Sequence, residues 1–153
     1  KISINIKGEY IMTLEEIQTM ADKDLKINDV ELDLESLKTP QLHNKYSKYH
    51  SKYKNLLKVA EQDLARIIRE KWEYYTGKAD PSVYQEKPFN LKVLRQDVDK
   101  YIKSDSDVNK LEQKVTYIET TVDYLEKTLK IISNRTFTIK NAIDWKKFTS
   151  GVI

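Results

Sequence analysis

The chain contains no cysteine, which excludes disulfides and thiolate metal sites and suits a reducing compartment. Glycine and proline are scarce, three of each in 153 residues, so few positions can interrupt a helix. No apolar run approaches the ~20 residues of a membrane span, and no secretory signal is visible. The two histidines, His43 and His50, are seven apart and would lie toward one helix face. With no third ligand or neighbouring carboxylate, they read as surface residues rather than a metal site. A glycine-rich phosphate loop is missing, and no serine or threonine has triad partners. Asp105 and Asp107 read as helix caps rather than an acid/base pair. The expectation is therefore a protein that is not an enzyme and carries no cofactor or metal.

What the sequence does hold is charge and tyrosine. Charged residues make up 33% of the chain, tyrosine occurs ten times, and the net charge is only +3. That charge is unevenly placed. Met12 to Leu37 holds eight acids against two lysines, and Lys38 to Lys71 holds nine bases against three acids, Glu61, Asp63 and Glu70. A basic block of this kind attracts a polyanion; the acidic block does not.

The spacing of apolar residues predicts helices throughout. Thr13 and Glu16 form a capping pair for a short helix to about Ala21. Val30, Leu32 and Leu34 alternate with acids, which favours an extended stretch, although Glu35 and Leu37 also tolerate helix. Thr39-Pro40 reads as a cap followed by a first-turn proline. From there Leu42, Tyr46, Tyr49, Tyr53, Leu56 and Ala60 recur at helical spacing, drifting to Leu64, Ile68, Trp72 and Tyr75, with Gly77 placed to end the helix. Residues 78–90 read as a polar loop and Val93 to Lys103 as a short helix, after which Ser104 to Asp107 offer caps.

The strongest periodic signal follows. Val108, Leu111, Val115, Ile118, Val122, Leu125, Leu129, Ile132, Thr136, Ile139 and Ile143 alternate spacings of three and four, a heptad pattern with one polar position at Thr136. Tyr117, Tyr124 and Ile131, each seven apart, form a second stripe, so the helix is expected to meet more than one neighbour. Ser133-Asn134 is a candidate kink. Leu111, Val115, Ile118, Val122, Leu125, Leu129, Ile132 and Ile139 are the expected oligomerisation residues.

The informative polar region is the long basic helix. Lys45, Lys48 and Lys52 stand at helical neighbour spacing, interleaved with Tyr46, Tyr49 and Tyr53. Lys58, Arg66, Arg69 and Lys71 continue the charge, and Trp72, Tyr74 and Tyr75 follow directly. Cations for phosphates and flat rings for exposed bases are what sequence-tolerant single-strand binding requires. The tyrosines fall on the apolar stripe, however. They and Trp72 read more readily as core or subunit contacts than as base platforms.

Three motifs carry a resemblance. Met12-Thr13-Leu14-Glu15-Glu16-Ile17-Gln18, then Arg69-Glu70-Lys71-Trp72-Glu73-Tyr74-Tyr75-Thr76-Gly77-Lys78, then Asn134-Arg135-Thr136-Phe137-Thr138-Ile139-Lys140-Asn141 occur in this order. Together they resemble the UvsY family, the recombination mediators of T-even-type phages. The resemblance runs from Met12 to about Gly151 and is poor between Gly77 and Ser104. It implies an all-α, ring-like homo-oligomer of six or seven subunits that binds single-stranded DNA. It further implies loading of a RecA-type recombinase onto strand coated by single-strand-binding protein, in the host bacterial cytoplasm. The family's DNA-contacting bases fall on Arg69 and Lys71, with Lys78 the next base of the motif.

The expected organisation is an extension at residues 1–11, a DNA-binding region at 12–103, and a C-terminal oligomerisation region at 104–153. Lys7 to Met12 could be encoded by a purine-rich ribosome-binding stretch before a start codon, so Met12 is the expected start, with a real tail or strand as the alternative. Two rival functional classes stand beside this one: a scaffold coiled coil with no nucleic-acid role, and a small nuclease. The second lacks paired acids.

Overall fold

The computed structural model describes residues 10–151, and within them every regular element is helical. The order is α1 (Leu14–Asp24), α2 (Leu32–Leu37), α3 (Thr39–Tyr75), α4 (Pro81–Glu86), α5 (Val98–Lys103) and α6 (Ser106–Thr149). A 3-10 turn, Arg95–Asp97, leads into α5. At 1.5 Å per residue, α3 and α6 are about 55 and 66 Å long. Most of the expected extension, residues 1–9, lies outside the described residues; Ile11 is buried.

The chain divides into two units, and they are not sequential halves. One is built from Lys1–Ser51 and Thr121–Ile153, the other from Lys52–Thr120, so both long helices contribute to both.

In the first unit, α1 starts as its sequence dictates. The Glu16 amide donates to Thr13 Oγ1 at 3.2 Å, and the Thr13 amide donates to Glu16 Oε2 at 2.7 Å. The expectation for residues 25–37 is corrected in part: Leu32–Leu37 is helix α2. Leu32 and Glu35, three apart, are its buried residues, while Val30, Leu34 and Leu37 stay exposed. A charged residue facing inward defeats a reading based on alternation.

Thr39 does not cap α3. Its Oγ1 is buried without a hydrogen-bond partner, and the first turn closes through the Leu42 amide onto the Lys38 carbonyl at 3.1 Å. Tyr46 is fully buried, its hydroxyl donating to Asp24 at 3.0 Å.

From Thr121 onward, α6 supplies the rest of this unit. Val122, Leu125, Ile132 and Ile139 are buried, and so are Thr121, Thr128 and Arg135, a second row seven apart that is polar. Thr128 Oγ1 donates to the Tyr124 carbonyl at 2.9 Å. Arg135 pairs with Glu35 and also donates to the Leu25 carbonyl at 3.2 Å. A polar row of this kind is invisible to a heptad count. α6 runs through Ser133-Asn134 unbroken, and Thr136 faces solvent.

In the second unit, Val98, Ile102 and Val108 form a core cluster against Leu64, Ile67, Tyr75 and Val93. The short helix expected at 93–103 begins later, because Leu94 is exposed and extended and the buried pair is Val98 and Ile102. The loop expected at 78–90 contains α4, started by Asp80 accepting from the Ser82 amide at 2.9 Å with Pro81 in the first turn. Tyr84 on α4 stacks on Tyr74 at 5.4 Å, and its hydroxyl donates to the Tyr74 carbonyl at 2.8 Å. Phe89 and Tyr101 flank Tyr75 at 5.3 and 5.5 Å.

The residues expected to drive oligomerisation lie largely inside the single chain. Val115, Ile118, Val122, Leu125, Ile132 and Ile139 are at most 8% exposed in the single chain, and Leu111 and Leu129 are partly buried. A heptad seam specifies a buried stripe but not whose helix covers it. In the single chain most of this stripe is already covered.

Candidate nucleic-acid interface

The candidate cations fall into both units, and the surroundings of each decide what it can offer a phosphate. In the first unit, Lys45 is tied to Asp24 at 2.6 Å, while Lys48 is exposed. The expected ridge of Lys45, Lys48 and Lys52 is therefore uneven. Lys52, at the start of the second unit's share of α3, is half-buried and already engaged.

The second unit holds the better-exposed set. Lys58, Arg66 and Arg69 have side chains 72%, 62% and 71% exposed. At 3.6 residues per turn, positions 58, 66 and 69 lie within about a quarter of the helix circumference. Each has an acid one turn away: Glu61 at 4.0 Å from Lys58, Asp63 at 2.7 Å from Arg66 and Glu73 at 3.8 Å from Arg69. Exposed pairs of this kind are worth roughly 0.3–0.5 kcal/mol, little enough for a phosphate to displace.

Lys71 is different. Its side chain is 15% exposed and its ammonium lies 3.0 Å from Asp105 Oδ2 and 2.7 Å from Asp107 Oδ2. Burial works against the charge, but hydrogen bonds to the two carboxylates outweigh it and hold the Lys71 pKa above the ordinary lysine value. Asp105 is likewise opposed by burial. Donors from Tyr75, Lys71 and the amides of Asp107 and Val108 nevertheless keep its carboxyl below the usual range. Those two amides, at 2.9 and 3.3 Å, make Asp105 the cap of α6. Lys71 thus secures the start of α6 to the end of α3. Lys71, expected among the DNA-contacting bases, is thus engaged within the fold, whereas Lys58, Arg66 and Arg69 are exposed.

Gly77 builds the remaining part of the site. Its φ of 75° is left-handed, a region glycine enters without strain. The Gly77 amide donates back to the Tyr74 carbonyl at 3.3 Å and the Lys78 amide to the Glu73 carbonyl at 2.8 Å. This pair of reversed bonds ends α3 and folds the chain over its last turns. Lys78 consequently lies over the Trp72 ring, its ammonium 4.4 Å from the centroid. Of the residues read as core or subunit contacts, Tyr46 and Tyr53 are buried and Trp72 is 41% exposed in the single chain.

A cavity of about 390 Å³ opens nearby, lined by Glu70, Glu73, Asp80, Glu86 and Asp107 against Lys71 and Lys87. Its sign is wrong for a phosphate backbone. His43 is exposed, and His50 sits 3.0 Å from Glu126 within the first unit. Among the described residues no group of three or more metal-ligating side chains converges, and no helix is long and apolar enough to cross a membrane.

The fold and this face define an all-helical protein with an exposed cationic row on one long helix. The model of a family described as the recombination, repair and single-stranded-DNA-binding protein UvsY matches residues 20–152, and the chain belongs to that family. It is 24% identical over 140 residues to the recombination protein uvsY of Enterobacteria phage T4, covering 92% of this chain and 99% of that one. Crystal structures of the bacteriophage T4 recombination mediator protein UvsY share the fold. The lattice type IV structure has a TM-score of 0.79 at 25% identity, covering 90% of this chain and 99% of that one. The lattice type II structure has a TM-score of 0.80 at 24% identity, covering 92% and 99%.

Proposed function

We propose that this chain is a recombination mediator. In this reading it binds single-stranded DNA as a homo-oligomer and helps a RecA-type recombinase load onto strand coated by single-strand-binding protein. It acts by binding, without catalysis of its own, in the host bacterial cytoplasm. The observation that carries the reading is the exposed row Lys58, Arg66 and Arg69 with Lys78 at its end, in a chain of this family. Lys48 is a secondary contact. A ring of six or seven copies repeats the row, so modest contacts with one strand become avid.

Self-association needs an exposed apolar surface, and the first unit supplies candidates. Val30, Leu34 and Leu37 in and before α2 are 83%, 48% and 73% exposed, and Ile131, Phe137, Trp145 and Phe148 on α6 are 55%, 67%, 65% and 77% exposed. So much exposed apolar area is more than a solitary subunit normally leaves to water. In this reading DNA contact stays within residues 12–103, and residues 104–153 join α2 in assembly. Trp145→Asp with Phe148→Asp is expected to lower the mass measured by light scattering; an unchanged mass contradicts the assignment.

The mediator role is tested by the recombinase's DNA-dependent ATP hydrolysis on coated strand. Adding the chain is expected to shorten the lag before full activity. An unchanged lag overturns the loading role.

A further inference from the structure

We propose that Trp72 is a stacking platform for a base of single-stranded DNA, and that Lys78 is its removable cover. The proposal rests on the DNA-binding reading above and says how a single strand is preferred to a duplex.

The aromatic residues of α3 have mostly been used by the fold. Tyr46 and Tyr53 are buried. Tyr74 is stacked face to face on Tyr84, with 14° between the rings, and Tyr75 is wedged against Phe89 and Tyr101. Trp72 stands apart, 41% exposed, although tryptophan is a residue that folding normally hides. Arg69, three residues earlier, puts an exposed guanidinium on the adjacent turn. Lys78 holds its ammonium 4.4 Å above the ring. The ring therefore has one cation over its face and a second, exposed cation one turn back along α3.

The energetics favour exchange. A cation over an exposed ring is a weak interaction, whereas base–aromatic stacking is the larger effect and tolerates any base. An incoming base takes the ring face, and the Lys78 ammonium moves off to a phosphate instead of losing its partner. In a duplex the base faces are already stacked, so the exchange is open only to a single strand.

Intrinsic fluorescence reads this directly, because the chain has two tryptophans, Trp72 and Trp145. The native chain is titrated with labelled oligo-dT, with an abasic oligomer of equal length and with duplex, following label anisotropy for binding and tryptophan emission for stacking. Oligo-dT is expected to quench emission, and the abasic oligomer to bind without that quench. In Trp72→Phe the quench is expected to vanish while oligo-dT still binds. Trp72→Ala is expected to weaken oligo-dT binding roughly tenfold with an unchanged salt slope. Oligo-dT that binds without quenching, or a quench that persists in Trp72→Phe, overturns the platform alone. Failure of oligo-dT to bind at all overturns the DNA-binding reading and the platform with it.

Discussion

Among the described residues, each unit ties a cation from a long helix into an internal ion pair, Arg135 in one and Lys71 in the other, and the two are held differently. Arg135 in the first unit is 3% exposed, paired with Glu35, with its Nε left unpartnered. Lys71 in the second unit keeps a 15% exposed side chain between two carboxylates, one buried and one half open to water. The first arrangement is sealed, and if it is broken Glu35 is left to the more exposed Lys38 at 2.8 Å. The second is wetter, and it is shared by three groups and a helix cap. The same residue types thus serve as internal ties in one place and stand exposed in another, according to what lies opposite.

The comparison can be broken most severely at Arg135. Arg135→Ala leaves Glu35 to Lys38, whose side chain is 55% exposed, and is expected to cost about 3 kcal/mol in urea denaturation. A loss under 1 kcal/mol would mean that the pair contributes little. Lys71→Ala is expected to cost less, about 2 kcal/mol, because water reaches Asp107. It should also weaken DNA binding with no change in salt slope; a reduced slope would return Lys71 to the phosphate row.

Acid sharpens the second case. Against the opposing effect of burial, donors from Tyr75, Lys71 and two amides hold the Asp105 carboxyl below its ordinary value of 3.8, and Lys71 holds Asp107 below it. A depressed carboxyl contributes stability that is present above the unfolded value and is lost as pH falls through the folded one. The stability gap between the native chain and Asp105→Asn is therefore expected to close as pH drops below about 4. A gap that stays constant with pH would show that Asp105 acts through shape alone. The smallest effect is at Gly77. Space around its Cα is open, so Gly77→Ala meets only the cost of the left-handed φ, about 1 kcal/mol by thermal melting. A neutral result would mean that the end of α3 can be rebuilt freely.

Much of this was legible in the sequence. The Thr13–Glu16 box, the end of α3 at Gly77 and the length of α6 follow from local chemistry that needs no distant partner. The start of α4 was equally available in Asp80-Pro81, but the polar character of the loop obscured it. What stayed hidden depends on residues far apart in the chain. Glu35 turns inward because Arg135 waits a hundred positions later. Lys71 turns inward because Asp105 and Asp107 face it, although on α3 it sits among bases that look alike. The heptads of α6 specify a buried stripe, while the neighbour that buries it could not be read from one helix. Trp72 was read as a core or subunit contact because its spacing fits the stripe; the turn at Gly77 gives it a lysine for a neighbour and leaves it half open in the single chain.

The central claim is that Lys58, Arg66 and Arg69 meet a single strand's phosphates. The most direct test is anisotropy of a labelled single strand titrated at several salt concentrations with the native chain and with Arg66→Ala plus Arg69→Ala. Each lost phosphate contact is predicted to reduce the slope of log affinity against log salt by about 0.7, so the double variant should lose about 1.4. An identical slope in the two proteins would contradict the account.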